Sequence, residues 1–215
     1  MTTKEEKIKT IFISWSKDYS KRIALKLKQI IEEDIFVSKN VKCFVSDVDI
    51  SSGTEWYKAI KDKLKSSYCG ILCLTKENVS EPWIYFESGA MIAHNIPVIP
   101  LLFDCKLYDN SPLKSINNVK YGKEKFVKMI LDINKDSRIA EFKIDALIQL
   151  AENAFNKFNE SIKEELDKLN DQRVFSAKYV YPSNCNTINK NTIYVSTPMA
   201  SFTANQYEEF KKDFL

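Results

Sequence analysis

GILCLTKENVSEPWIYFESGAM, residues 70–91, holds the body of a buried strand, a turn-rich loop and the opening of a helix. The run from Tyr68 to Thr75 is apolar almost throughout and strand-sized, as expected of a strand covered on both faces. Ser80-Glu81-Pro82 then reads as a helix start, with a hydroxyl or carboxylate cap and proline in the first turn. The helix is expected over about 82–94. On it Trp83, Glu87, Ala90 and Met91 fall at i, i+4, i+7 and i+8, so they share one face. That face is apolar except for Glu87. An unpaired charge is expensive to bury, so the placement needs a reason. A buried ion pair or a partly exposed rim position is the ordinary reason, since structural ion pairs also perturb carboxylates. A site that requires a carboxylate is the other.

The same alternation extends in both directions. Thr10–Ser16 reads as a buried strand, followed by a helix from Asp18 to Glu33 with Ile23, Leu27, Ile30 and Ile31 at helical spacing. Val41–Val45 is a second strand, and Ser46–Gly53 a polar loop. Thr54 starts a helix to about Ser66, with Trp56, Ile60 and Leu64 on one face. Ile96–Phe103 is a fourth strand, Val119 ends a short fifth, and Lys123–Leu131 is a further helix. Continuous apolar strands alternating with helices predict a parallel sheet covered on both faces. The fold class is α/β: a flavodoxin-like, doubly wound, five-stranded parallel sheet. Ligands of such sheets bind beyond the carboxyl ends of the strands, at a switch point. The loops at that edge are Ser14–Asp18, Ser46–Thr54 and Thr75–Pro82, and Glu87 lies about one turn inside the helix after the third.

Composition excludes several classes. The chain has 215 residues, 44% hydrophobic and 28% charged, an ordinary balance for a globular protein. A net charge of +3 is too small to argue for nucleic acid, and lysine-rich stretches such as Lys61–Lys65 are interrupted by acidic and apolar residues. The N-terminus MTTKEEKIKT lacks the apolar core of a signal peptide, and no run approaches the roughly 18 apolar residues of a membrane span. Cys43, Cys69, Cys73, Cys105 and Cys185 show no CxxC spacing, and His94 is the single histidine. No metal site is expected; reduced core thiols and a cytoplasmic location are. There is no GxGxxG after the first strand, no GxxxxGK[ST] and no GxSxG, which disfavours a dinucleotide fold, a P-loop and a hydrolase elbow. His94 reads as a helix-surface or core residue. The end of the first strand holds Ser14-Trp15-Ser16, where a phosphate receiver would need an acidic cluster.

FISWSKD (12–18), FVSDVDISSGTEWYKAIKDKLKSS (44–67), residues 70–91 and VIPLLF (98–103) together resemble the Toll/interleukin-receptor (TIR) domain in its bacterial form. The matching features are Phe12-Ile13-Ser14-Trp15 closing the first strand, then Asp47, Gly53 and Trp56, then the serine, tryptophan and glutamate of Ser80–Glu87. The resemblance covers about residues 8–133. It departs in three places. SEPW holds one residue more between serine and tryptophan. Trp15 stands where tyrosine or histidine is commoner. Asp47 and Asp49 compete for one family position.

Many bacterial and plant TIR domains cleave NAD+ at the nicotinamide–ribose bond, and the glutamate at the position of Glu87 is essential in them. The resemblance therefore implies an NAD+ glycohydrolase with Glu87 as its catalytic residue, NAD+ as substrate and no cofactor. Breaking an N-glycosidic bond builds positive charge on the ribose, which a fixed carboxylate can stabilise. Nicotinamide is already a cationic leaving group, so one carboxylate can suffice where ordinary glycosidases use two. Hydrolysis to ADP-ribose and closure to a cyclic ADP-ribose both stay open. Ser14 and Trp15 are candidates for the nicotinamide or ribose pocket, Trp15 equally for a packed loop aromatic. Trp83 is a candidate wall of the site or a plain core residue. Asp47 and Asp49 are candidates for ribose hydroxyls, for a helix cap, or for neither.

The remainder divides into a helical extension, 136–172, after the domain at 1–135, and a C-terminal segment, 173–215. The extension carries Phe142, Ile144, Leu147, Leu150, Ala151, Phe155, Phe158, Ile162, Leu166 and Leu169 in an amphipathic pattern that needs a partner surface. Packing on the TIR domain and self-association both satisfy it, and the resemblance implies homo-oligomers through TIR–TIR contacts. IYVSTPMASF (193–202) resembles the first strand of nucleoside 2-deoxyribosyltransferase-like domains, and the following helix stops at Leu215. The expectation is a fragment of a longer protein whose missing part senses a nucleotide signal in antiphage defence. The competing functions are a non-catalytic scaffold acting by homotypic association and a ribosyl-transferring enzyme acting on another nucleotide.

Overall fold

Five short apolar segments, rich in branched residues, pair side by side. They are β1 (Lys9–Ser14), β2 (Val41–Val45), β3 (Ser67–Leu74), β4 (Val98–Leu102) and β5 (Val119–Lys120). The computed structural model describes residues 8–37, 41–45, 56–137 and 142–176. All four strand pairings are parallel, in the order β2-β1-β3-β4-β5, with Ile13 level with Val45, Ser14 with Leu72, and Leu74 with Leu102. The order reverses at β1 and β3, which makes their carboxyl ends the switch point. The chain divides into two units, Met1–Leu169 and Asn170–Leu215, and the sheet with its covering helices belongs to the first.

Side chains alternate between the two faces of each strand. Ile11, Ile13, Cys43, Val45, Cys69, Ile71, Cys73, Leu101 and Phe103 point into one large core cluster. It is completed by α1 (Asp18–Gln29), part of α4 (Lys123–Ser137) and part of α5 (Ile144–Ser176). Phe12, Ser14, Phe44, Leu72 and Leu74 are buried without joining that cluster. Over this second face lie α2 (Trp56–Ser66) and α3 (Pro82–Ala93). Gly70 of β3 is there for space: a Cβ would lie 2.1 Å from Met91 Sδ and 2.7 Å from its Cε, so any larger residue displaces the Met91 side chain. Cys43, Cys69 and Cys73 are buried and form no disulfide among the described residues.

Two helix boundaries differ from the sequence reading. The helix expected over 18–33 is α-helical only to Gln29 and continues as a π-helical turn, Ile30–Ile35, closed by Phe36 N–H donating to Ile31 C=O at 2.9 Å. Ile30 and Ile31 recur five residues later as Ile35 and Phe36, and all four are buried. That spacing suits the wider π turn. The helix starting at Lys123 runs on to Ser137, and the long helix expected from 136 begins at Ile144. The C-terminal strand and helix expected within residues 177–215 lie outside the described residues. No helix among the described residues is long and apolar enough to cross a membrane.

α5 docks on the domain itself. Leu147, Ala151, Ala154, Phe155, Phe158 and Ile162 form its buried stripe in the core cluster. Phe158 packs among Phe103, Tyr121 and Phe126, with ring centroids 5.8–6.2 Å away. Arg22 pairs with Glu165 at 2.8 Å, Lys157 with Asp34, and Tyr121 Oη donates to Asn159 at 3.1 Å. Of the two partner surfaces left open by the sequence, the helix uses the first. Phe158→Ala should cost about 3–5 kcal/mol in denaturant unfolding, the range for truncating a buried aromatic. A loss below about 1 kcal/mol would show that α5 does not contribute to this core.

Candidate active site

The strand alternation that sends Ile11 and Ile13 into the main core sends Ser14, the last residue of β1, toward the face covered by α3. There its hydroxyl, fully buried, donates to Oε2 of Glu87 at 2.5 Å. Glu87 sits in the middle of α3 and is 0% exposed. It is not a rim residue, and among the described residues no ion pair reaches it. Its second oxygen, Oε1, is buried with no hydrogen-bond partner among the described residues. Burial pushes the carboxyl group up from 4.5 to about 8, against the opposing pull of hydrogen bonding from Ser14 and then Trp83. Trp83, one turn earlier on the helix, is buried and stacks on Phe86 at 5.3 Å.

The loops on either side are tied down by side chains. Ser20 Oγ on α1 and Asn78 Nδ2 both donate to the carbonyl of Cys73, at 2.7 and 2.9 Å. Thr75 N–H donates to Asn78 Oδ1 at 2.7 Å. Asn78 thus braces the turn between β3 and α3, a familiar use of asparagine. Tyr85 Oη donates to the Val79 carbonyl at 2.7 Å and meets Ser111 Oγ at 3.1 Å. The helix begins at Pro82 with Glu81 as N-cap, but Glu81 makes no capping bond; its carboxylate pairs with Lys17 at 3.0 Å. Ser20, Asn78 and the pairing of Lys17 with Glu81 all escaped the sequence reading. For Asn78 a signal existed in the turn-rich KENVSEP stretch; for Lys17 and Glu81, far apart in sequence, there was none.

The proposed site residues separate. Ser14, Glu87 and Trp83 come together. Trp15 belongs to the core cluster on the opposite face, with Lys21 Nζ 4.9 Å from its ring centre, which is the packed-aromatic alternative. Asp47 and Asp49 lie outside the described residues, as does the side chain of Trp56. His94 closes α3 as its exposed C-cap. Among the described residues no group of three His, Cys, Asp or Glu side chains is placed to hold a metal ion. A cavity of about 620 Å³ lies at the same sheet edge, lined by residues that include Lys76, Leu102, Lys120 and Tyr121, and Glu87 is not in its wall.

Chemically, the arrangement is one carboxyl group in a dry environment. One oxygen is fixed by a hydroxyl, and the other is able to accept a hydrogen bond or face a cation. The family model of the TIR domain matches residues 11–130, which is 120 of the chain's 215 residues. The curated proteins give no match. The matched stretch contains Ser14, Glu87 and the strands and helices that position them, and on that match the protein belongs to the TIR-domain family.

Proposed function

We propose that this protein is an NAD+ glycohydrolase that breaks the nicotinamide–ribose bond, with Glu87 as the carboxylate at the reacting ribose. The observation that carries the reading is the buried Glu87 with Oε2 held by Ser14 and Oε1 unpartnered. A scaffold has no use for such a group, because a buried carboxyl with an orphan oxygen only weakens the fold. In the proposed reaction the C1′–N bond breaks and its electron pair neutralises the nicotinamide nitrogen. The positive charge left on the ribose is stabilised by ionised Glu87, which is also placed to accept hydrogen bonds from ribose hydroxyls. Water captures the ribosyl cation and loses a proton to solvent, giving ADP-ribose. An adenine nitrogen capturing it instead gives a cyclic ADP-ribose.

Two properties of the site shape the reaction. Glu87 is closed off from solvent, so turnover requires an opening step, which we assign to homotypic TIR–TIR association. Burial also keeps Glu87 protonated near neutrality, and the cationic pyridinium of bound NAD+ favours the ionised form. Cytoplasmic antiphage defence is the setting we propose.

Purified protein at high concentration should release nicotinamide from NAD+, resolved by chromatography beside a panel of other nucleotides. Glu87→Ala should lower the rate about 10²–10³-fold or more, the scale of losing a main electrostatic group, and Ser14→Ala about 10–100-fold. Wild type that stays inert when crowded would favour the scaffold, and activity retained by Glu87→Ala would remove Glu87 from the chemistry. The carboxylate is the working form, so kcat/KM should climb about tenfold per pH unit and level off near pH 8. A flat profile between pH 5 and 9 would contradict this.

Stability should run the other way. An acid whose folded value is raised from 4.5 to about 8 leaves stability intact below pH 4.5 and erodes it as pH rises to 8. The cost is on the order of 3 kcal/mol at pH 7. Glu87→Gln removes this titration, so its stability relative to wild type should rise steadily from pH 5 to 8. A constant difference across that range would show that Glu87 titrates normally.

A further inference from the structure

The Lys17–Glu81 pair carries an inference of its own. Lys17 has φ 72° and ψ 158°, a region of backbone space that is essentially reserved for glycine. A lysine persists there only where its surroundings hold it, and such strain collects at functional sites. Its Nζ meets Glu81 Oε1 at 3.0 Å, with the two side chains 34% and 19% exposed. A single ion pair that is still partly exposed adds little to stability. Lys17 is the N-cap of α1 and Glu81 the N-cap of α3, and neither makes a side-chain capping bond, as expected of a lysine, which has no acceptor, and of a glutamate, which is not a favoured cap. The stability of one ion pair does not explain the strained lysine.

Geometry does. Lys17 lies three residues after Ser14, and Glu81 lies six before Glu87, at the start of the same helix. The ion pair and the Ser14–Glu87 bond are thus two ties between the same two segments, the end of β1 and the helix α3. Packing of Trp83, Ile84, Ala90 and Met91 seats the helix, and the two polar ties set its fine position against the end of β1. We propose that Lys17 and Glu81 form a positioning clamp that holds Glu87 against Ser14, a role that rests on the NADase reading for its purpose. Neither residue touches the reacting atoms.

The test compares Lys17→Gly, Glu81→Gln and the swap of Lys17→Glu with Glu81→Lys in the full chain. Three quantities are read: the melting temperature, the titration midpoint of the ¹³C-labelled Glu87 carboxyl group by NMR, and kcat and KM for NAD+. Lys17→Gly relieves the strained backbone, so it should melt no lower than wild type. Its Glu87 midpoint should nonetheless rise, because the Ser14 hydrogen bond that lowers it is lost, as in Ser14→Ala. Glu81→Gln should shift the midpoint the same way, and kcat should fall about tenfold in both with little change in KM. The swap should return midpoint and kcat to wild-type values. A midpoint that is unmoved or lowered in the single variants overturns the clamp, as does a swap that restores nothing. A raised KM that the swap leaves unrepaired also overturns it and makes Lys17 a direct substrate contact. The titration needs no turnover. A protein inert toward NAD+ whose midpoint follows this pattern keeps the clamp and loses the NADase reading.

Discussion

The hydrogen bond from Ser14 to Glu87 is the interaction around which one face of this sheet is arranged. A carboxyl group without water or counter-ion is costly, and the fold concedes that cost in the centre of α3. Everything near it limits the damage or keeps the geometry. Ser14 satisfies one oxygen, Trp83 shares the same helical face, and the absence of a Cβ at Gly70 lets the Met91 side chain lie against β3. The half-buried ion pair of Lys17 and Glu81 adds a second link between the same segments. A single hydroxyl can hold the carboxyl group only because strand and helix are already fixed relative to each other.

The two faces of the sheet divide stability from chemistry. The face covered by α1, α4 and α5 holds the large aromatic and aliphatic cluster. α5 lies beyond the stretch that matches the TIR domain and still contributes six buried side chains to that cluster. The other face, beneath α2 and α3, carries the polar interior. Native stability is a small difference between large terms, so a face that holds a strained site depends on a well-packed opposite face. This division also accounts for Trp15, whose ring belongs with the packing and not with the carboxylate.

Much of this was legible in the sequence. Strands buried on both faces produce unbroken apolar runs, and β2 occupies Val41–Val45 as read. Glu87 stood out because helical periodicity placed a charge on an apolar face, and Ser14 because it ends a strand at the carboxyl edge of the sheet. Trp15 follows the last residue of β1, so strand alternation does not decide where its ring packs. Other features left no local mark. The π turn competes with an α-helical reading of the same isoleucines, and only the five-residue recurrence distinguishes them. The stop of α4 at Ser137 falls within a continuous run of polar and apolar residues that satisfies helix periodicity throughout. The Lys17–Glu81 contact joins residues distant in sequence and becomes visible only when β1 and α3 are side by side.

The most direct measurement is a crystal structure of the Glu87→Gln protein with NAD+ bound. The substituted side chain keeps the shape of the site and slows the reaction. The nicotinamide ribose should lie against position 87, with a ribose hydroxyl in hydrogen-bond reach of its oxygen and Ser14 still bonded to the same group. A dinucleotide bound elsewhere on the domain, with position 87 still sealed, would contradict it.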